Sequence, residues 1–366
     1  MRKNDSVLDN YQIGKVNCIP ELGIANFSID AGSTETRTHM WTDNPKGGTV
    51  HGISAGYSVL KQDISGTRSQ SDSLYDNLEI CIEDLTVNKE TKVFDKINIV
   101  KGGLLEDLRL PVARTSSNTS KGLQETTYVN AIANIALRVY MAALTTGSYY
   151  QNIEARVTLA LPQEDITSTK RQEEIKAKLA GEYMVTMPRC PFAVAITIKN
   201  SQIVLIDEAQ AVLGFWRINN KEKAKDYNSV LIIDAGGRSV DLSIMLNGRV
   251  LARGSLTGKF GGQKFIDLIT EKYINETGNE MPTRDMVLDA LDTGLLQDGN
   301  STINIADFIE KSKAEIASNI ENDVTALLDL NELRMKQLNL VLCAGRMMGT
   351  SENAESSVQS LTAYTT

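Results

Sequence analysis

Histidine is nearly missing from this chain: only His39 and His51 occur among 366 residues. Metal sites built on imidazole and Ser-His-Asp chemistry are therefore poorly supported. Cysteine is also scarce. Cys18, Cys81, Cys190 and Cys343 lie far apart, with no Cys-x-x-Cys pair. Such spacing fits neither a disulfide framework nor a zinc module, and a reducing cytosol is the simple expectation. No apolar run approaches the ~18 residues that a membrane span needs, so no membrane partner is expected. The opening MRKNDSVLDNYQ has no apolar h-region, so no secretory signal is expected either. Positive charge is in deficit, with 38 Lys and Arg against 46 Asp and Glu and a formal net charge of -8. That argues against direct, non-specific nucleic-acid binding.

What is present is ordinary globular material, 42% hydrophobic and 23% charged, with ample apolar content for a large core. The length exceeds what one core usually supports, so two domains or lobes are expected. Strand-like runs include IANFSID, EARVTLALP, FAVAITI, SQIVLID, NSVLIIDAGG and LNLVLCAG, and residues 72–101 read as a small sheet. Residues 108–124 read as a loop. Helix-like runs include TTYVNAIANIALRVYMAAL, buried on most sides, and TSTKRQEEIKAKLAG. In the second run, Thr167 or Ser168 can cap, Glu174 and Lys178 sit at i, i+4, and Gly181 can end the helix. EAQAVLGFW, GGQKFIDLITEKYINETG and two later segments also read as helices, and Asn247-Gly248 as a hairpin turn. Strands alternating with helices indicate an α/β chain.

One pattern occurs twice. FSIDAGSTETR (27–37) and LIIDAGGRSVDL (231–242) each run a buried strand into Ile-Asp-Ala-Gly. A glycine there lets backbone approach a ligand, and successive N–H groups in such a turn form an anion-binding nest. The aspartates, Asp30 and Asp234, supply hard oxygens for Mg²⁺, usually through waters, because Mg²⁺ dehydrates reluctantly. Two such turns facing one another would clamp a polyphosphate from both sides, and the recurrence suggests a duplicated domain. A third strand, LVLCAGRMM, puts Ala344-Gly345 where a flat base could lie against bare backbone. GSLTGK, before Phe260, is a faint echo of a P-loop, but its glycines are four apart and Phe260 replaces the required hydroxyl.

In this order, over residues 25 to 350, the motifs resemble the actin superfamily, most nearly the ParM-type bacterial actins that segregate plasmids. DAGSTETR resembles the first phosphate motif, LALPQED the first connecting segment, and DAGGRSVDLS the second phosphate motif. GKFGGQKFID, EKSKAEIAS and LCAGRMM resemble the segments beneath and around the nucleoside. The resemblance implies an actin-like duplicated ATPase fold. Two lobes, each a central mixed sheet flanked by helices, would hold the nucleotide in the cleft between them. Residues 1–207 with 341–366 would form the first lobe and 208–340 the second.

It also implies residue roles. Asp30 and Asp234 would hold Mg²⁺ and its waters. Gly32, Ser33, Thr34 and Arg37 would take the terminal phosphate from one side, and Gly236, Gly237, Arg238 and Ser239 from the other. Hydrolysis needs a group that orients or deprotonates water, and Gln163, Glu164 and Asp165 follow Pro162 at the right place. Spacing from the proline favours Asp165, or Glu164 if the turn is one residue shorter; helix capping is the alternative for either. Gly261, Gly262, Lys264, Glu310, Lys313, Ala344, Gly345 and Arg346 would line base or ribose. Arg238 departs from the pattern, being bulky for a phosphate turn, and Ala344 replaces the usual first glycine.

The activity implied is a filament-forming ATPase (ATP or GTP, with Mg²⁺). It would be cytoplasmic, self-associating, and coupled to plasmid DNA through a DNA-binding adaptor. A small-molecule kinase of the same superfamily is the alternative, since DAGSTETR also resembles the start of sugar kinases, but no second Asp motif beside a sugar pocket is evident. A scaffold that merely binds nucleotide is a third reading.

Overall fold

The computed structural model describes residues 17–31, 35–41, 49–54, 58–59, 77–87, 93–102, 113, 120–187, 193–221, 227–299 and 301–345. The chain forms two compact units, 1–208 and 209–366.

The first unit is built on a mixed sheet. Its strands are β1 (Asn17–Ala31), β2 (Glu35–Trp41), β3 (Thr49–Ser54), β4 (Ser58–Val59), β5 (Asn77–Asp84) and β6 (Lys96–Gly102). After helix α1 (Glu125–Thr146) come β7 (Ser148–Leu161), helices α2 (Gln163–Ile166) and α3 (Thr169–Leu179), then β8 (Gly181–Thr186), β9 (Val194–Ile198) and β10 (Ile203–Asp207). The spatial order is β3-β2-β1-β7-β9-β8-β5-β6-β4, with β10 also paired to β7. β5 and β6 pair antiparallel, as the alternation in residues 72–101 predicts.

Ala25, Phe27 and Ile29 of β1 alternate inward onto the core, while Leu22 and Ile24 stay exposed. Each large apolar side chain buried this way contributes roughly 1.5–3 kcal/mol. α1 packs on β7, β2 and β1, and its residues 126–141 are all buried, the polar Asn130, Asn134 and Arg138 included, as expected of a core helix.

Two local expectations fail around α3. Ser168 Oγ does accept from Arg171 N at 3.4 Å, so the cap forms. Glu174, however, pairs with Lys170 at 4.0 Å rather than with Lys178. Lys178 instead reaches the Leu123 carbonyl at 3.4 Å and sits 5.9 Å over the Tyr128 ring. A tertiary carbonyl and an aromatic face outcompete an exposed i, i+4 pair, which contributes only a few tenths of a kcal/mol. Nor does Gly181 end the helix: Ala180 is already extended, and Gly181 opens β8.

The second unit begins with α4 (Glu208–Asn219), whose first residue belongs to the first unit. A four-stranded sheet follows, made of β11 (Ser229–Ala235), β12 (Val240–Leu246), β13 (Arg249–Gly258) and, much later, β16 (Leu340–Ala344). Between β13 and β16 run α5 (Gly262–Thr277), α6 (Arg284–Ala290), the hairpin β14 (Leu295–Asp298) and β15 (Ser301–Asn304), and α7 (Ala306–Leu330). Asn247 (φ 51°) and Gly248 (φ 80°) make the expected tight turn. The β14–β15 hairpin was not anticipated from the sequence.

α7 buries Phe308 and Ile309 in one cluster with α5 and α6, and Val324, Leu327 and Leu328 in a second against β11 and β12. The sequence assigned residues 341–366 to the first lobe, but β16 pairs parallel with β11, from Val230↔Leu340 to Asp234↔Ala344, and so belongs to the second sheet. GSLTGK lies within and just after β13 and is a strand, which disposes of the P-loop echo.

Candidate functional site

The sequence repeat is a structural repeat in identical register. In the first unit β1 pairs antiparallel with β2 and parallel with β7, so Asp30 lies between Arg37 and Ala160. In the second, β11 pairs antiparallel with β12 and parallel with β16, so Asp234 lies between Asp241 and Ala344. Four residues separate Ala31 from Thr36, and four separate Ala235 from Val240. The strand orders β3-β2-β1-β7 and β13-β12-β11-β16 correspond element for element. Each aspartate therefore ends a central strand at the carboxyl edge of its sheet, where open α/β sheets bind ligands.

The second hairpin is held on three sides. Gly236 N donates to Ser239 O at 2.9 Å and closes the turn. The first two amides of α5 dock on it, Gly262 N to Gly236 O at 3.1 Å and Gln263 N to Gly237 O at 2.7 Å. A Cβ on Gly261 would fall 2.6 Å from the Arg238 and Ser239 nitrogens, so only glycine fits there. Gly345 has φ +91°, and a Cβ on it would meet the Ala235 carbonyl and, at 2.6 Å, Asp234 Oδ1. On the other flank, Asp241 accepts from Ser239 Oγ at 2.9 Å and from Thr257 Oγ1 at 2.6 Å. Asp241 thereby ties the turn to β12 and β13. Sequence reasoning missed it, although it stands opposite Asp234 in the ladder.

At the carboxyl edge of the first sheet, β1, β7 and β10 run parallel, with Asp30↔Ala160 and Leu161↔Asp207 in register. Past Pro162, Asp165 is fully buried. Its Oδ2 accepts from Gly122 N at 2.7 Å, its Oδ1 accepts from Ser120 Oγ, and Arg171 Nη1 stands 3.7 Å from Oδ1. Glu164 is exposed. Lys121, from the 3-10 turn Lys121–Leu123, forms an ion pair with Glu208, the residue that follows β10. Their side chains are only 17% and 18% exposed. Lys121 was not picked from sequence, and Glu208 entered only as the first residue of the helix-like run EAQAVLGFW, with no role assigned; their pairing became visible only in the fold.

No protein-family profile matches the sequence, and no curated protein does. Solved structures match along nearly the whole chain. A 15-stranded ParM filament from Clostridium botulinum is 16% identical, covering 93% of this chain and 92% of its own, with TM-score 0.60. Bacillus thuringiensis ParM with ATP is 14% identical, with 89% and 88% covered and TM-score 0.60. The archaeal actin homolog Ta0583 is 12% identical, with 88% of each chain covered and TM-score 0.59. The fold is actin-like. These matches cover 88–93% of the chain and so extend over both units.

The residues expected to act on a nucleotide fall into three groups within this actin-like fold. Asp30 and Arg37 are exposed and directly opposed across the ladder, while Asp234, Gly236, Gly237, Arg238 and Ser239 are half-buried around the second turn. Gly261, Gly262, Ala344 and Gly345 gather against that turn through the contacts above, with Lys264 half-buried one turn into α5. Glu310 and Lys313 form a pair at 2.7 Å with each other on an exposed stretch of α7, the arrangement of a solvated helix face. Gly32, Ser33, Thr34 and Arg346 lie outside the described residues. Among the described residues no three His, Cys, Asp or Glu side chains gather into a metal cage. Single carboxylates at strand ends suit a hydrated Mg²⁺, which takes only one or two protein oxygens.

Proposed function

We propose that the chain is a nucleotide-dependent, filament-forming ATPase that binds ATP or GTP with Mg²⁺ and moves plasmid DNA through a DNA-binding adaptor. The observation that carries the reading is the Asp-ended hairpin built twice in one register, each copy at the carboxyl edge of a mixed sheet. Structural neighbours lend support: one is a ParM bound to ATP and another is a ParM filament. In this reading Asp30 and Asp234 hold the hydrated metal, and Arg37 with Gly32, Ser33 and Thr34 takes the phosphates from the first lobe. The turn at 236–239 takes them from the second, while Gly261, Gly262, Lys264, Ala344, Gly345 and Arg346 serve the nucleoside. Glu310 and Lys313 stand at its margin. The first lobe is residues 1–207 and the second centres on 208–340, with β16 in the second sheet.

For hydrolysis the carboxylates are ranked by what they touch. Asp165 has its oxygens engaged in the interior, which leaves Glu164 and Glu208 as the groups able to meet a water at this edge. ATP would favour assembly and hydrolysis would weaken it, because the two nucleotide states pack differently. The protein so read is cytoplasmic; among the described residues no helix is long and apolar enough to cross a membrane.

Light scattering with simultaneous phosphate release tests the reading. Scattering should rise on adding ATP or GTP with Mg²⁺ and decay as phosphate appears. Glu208→Gln and Glu164→Ala should assemble, and whichever residue serves the water should slow the decay by about a hundredfold or more. Absence of both nucleotide binding and assembly at high protein concentration would refute it. Turnover that depends on added sugar would favour the kinase.

A further inference from the structure

We infer that Lys121 is a first-lobe cation for the terminal phosphate of the nucleotide, and that Asp165 is the positioning residue that mounts it. The inference deepens the nucleotide reading above and rests on it. The starting point is the number of ties on one short turn. Gly122 N and Ser120 Oγ donate to the Asp165 carboxylate. Thr127 Oγ1 donates to Lys121 O at 2.6 Å, Tyr128 OH donates to Gly122 O, and Lys178 Nζ donates to Leu123 O at 3.4 Å. Three elements, α1, α2 and α3, thus grip four consecutive residues, Ser120 to Leu123.

Burying a carboxylate costs several kcal/mol unless hydrogen bonds replace its water, so a fully buried aspartate devoted to a connecting turn calls for a reason beyond connection. What the turn presents is Lys121. Its ammonium meets Glu208 directly beyond β10, at the edge where Asp30 is the last residue but one of β1 and Pro162 follows β7. Neighbouring strands are about 4.8 Å apart and residues along a strand about 3.3 Å, so β1 and β10, which flank β7, put Asp30 and Glu208, two residues further along, about 12 Å apart at one edge. An ammonium has three donors and can hold Glu208 and a phosphate oxygen together.

The chemistry suits that position. The oxygen of an attacking water bonds to the terminal phosphorus as the bond from phosphorus to the bridging oxygen breaks. ADP leaves with the electron pair, and the water proton passes to the Glu208 carboxylate and on to solvent. Negative charge gathers on the terminal oxygens throughout, and a fixed cation stabilises it. Lys121 also aims Glu208, to which it is ion-paired.

A cation on the terminal phosphate distinguishes ATP from ADP, which gives the test. Titration calorimetry on the full chain, with a non-hydrolysable ATP analogue and with ADP, compares Lys121→Ala, Lys121→Arg, Asp165→Asn and Ser120→Ala. Lys121→Ala should weaken the analogue by about tenfold or more and leave ADP unchanged, and Lys121→Arg should recover part of the loss. Asp165→Asn should show the same analogue-selective loss, and adding it to Lys121→Ala should cost nothing further. Ser120→Ala, a milder removal of one Asp165 donor, reads the mount if Asp165→Asn fails to fold. An unchanged analogue affinity in Lys121→Ala, or equal losses for analogue and ADP, overturns the assignment while the nucleotide reading stands. No nucleotide binding by the unaltered chain overturns both.

Discussion

Ser312, Thr36 and Thr38 each bury a hydroxyl that has no hydrogen-bond partner among the described residues. Leaving such a group unsatisfied costs about 1–3 kcal/mol, whereas an apolar replacement of the same shape is neutral or better. Ser312→Ala, on the buried face of α7, should therefore raise the urea midpoint by the equivalent of about 1 kcal/mol; a clear loss of stability would mean that the hydroxyl has a partner after all. Glu154 is the opposite case. Hydrogen bonds from Lys199 and then Gln202 hold its carboxyl below the usual carboxylate range. A depressed value in the fold means that the stabilisation is present above the unfolded pKa and is lost as pH falls through the folded one. The gap in urea midpoint between the native chain and Lys199→Met should be full at neutral pH and close below about pH 4. A gap independent of pH would assign the effect of Lys199 to packing. Asp165 shows why chemistry at this scale hides in a sequence: its donors lie 43 and 45 residues away, and nothing in QEDI announces them.

Among the elements, the second hairpin is a turn held from both flanks, by α5 through its first amides and by β13 through Asp241. Gly261 is as tight a point as Gly345, and Gly261→Ala must displace main chain of Arg238 and Ser239. We expect this single methyl to cost about 1–3 kcal/mol in thermal unfolding and, in the proposed reading, to weaken nucleotide binding. Normal melting together with normal binding would show that the turn has slack. Helices and buried strands were readable because apolar spacing over ten or more residues leaves few alternatives, as in α1. The β14–β15 hairpin was not, since four-residue strands with one buried position, Leu296, carry too little period to detect. Side-chain pairing along α3 was misread for another reason: Lys178 found a carbonyl 55 positions away.

For the molecule as a whole, the repeat of Ile-Asp-Ala-Gly foretold a duplication, and the register of two sheets bears that out residue for residue. Which partner each copy places opposite its aspartate, Arg37 in one and Asp241 in the other, became meaningful only with the ladder known. If the two copies share one hydrated metal, Asp30→Ala and Asp234→Ala should each weaken Mg-nucleotide binding by a comparable factor, about tenfold or more, and leave metal-free binding nearly unchanged. A loss in one variant alone would assign the metal to one lobe. The mount of Lys121 has a spectroscopic consequence. The Gly122 amide, donating to a wholly buried carboxylate, should resonate far downfield and exchange with deuterium only when that edge opens. One proton thus serves as a reporter of whether the first lobe is assembled, legible by NMR before any nucleotide is added.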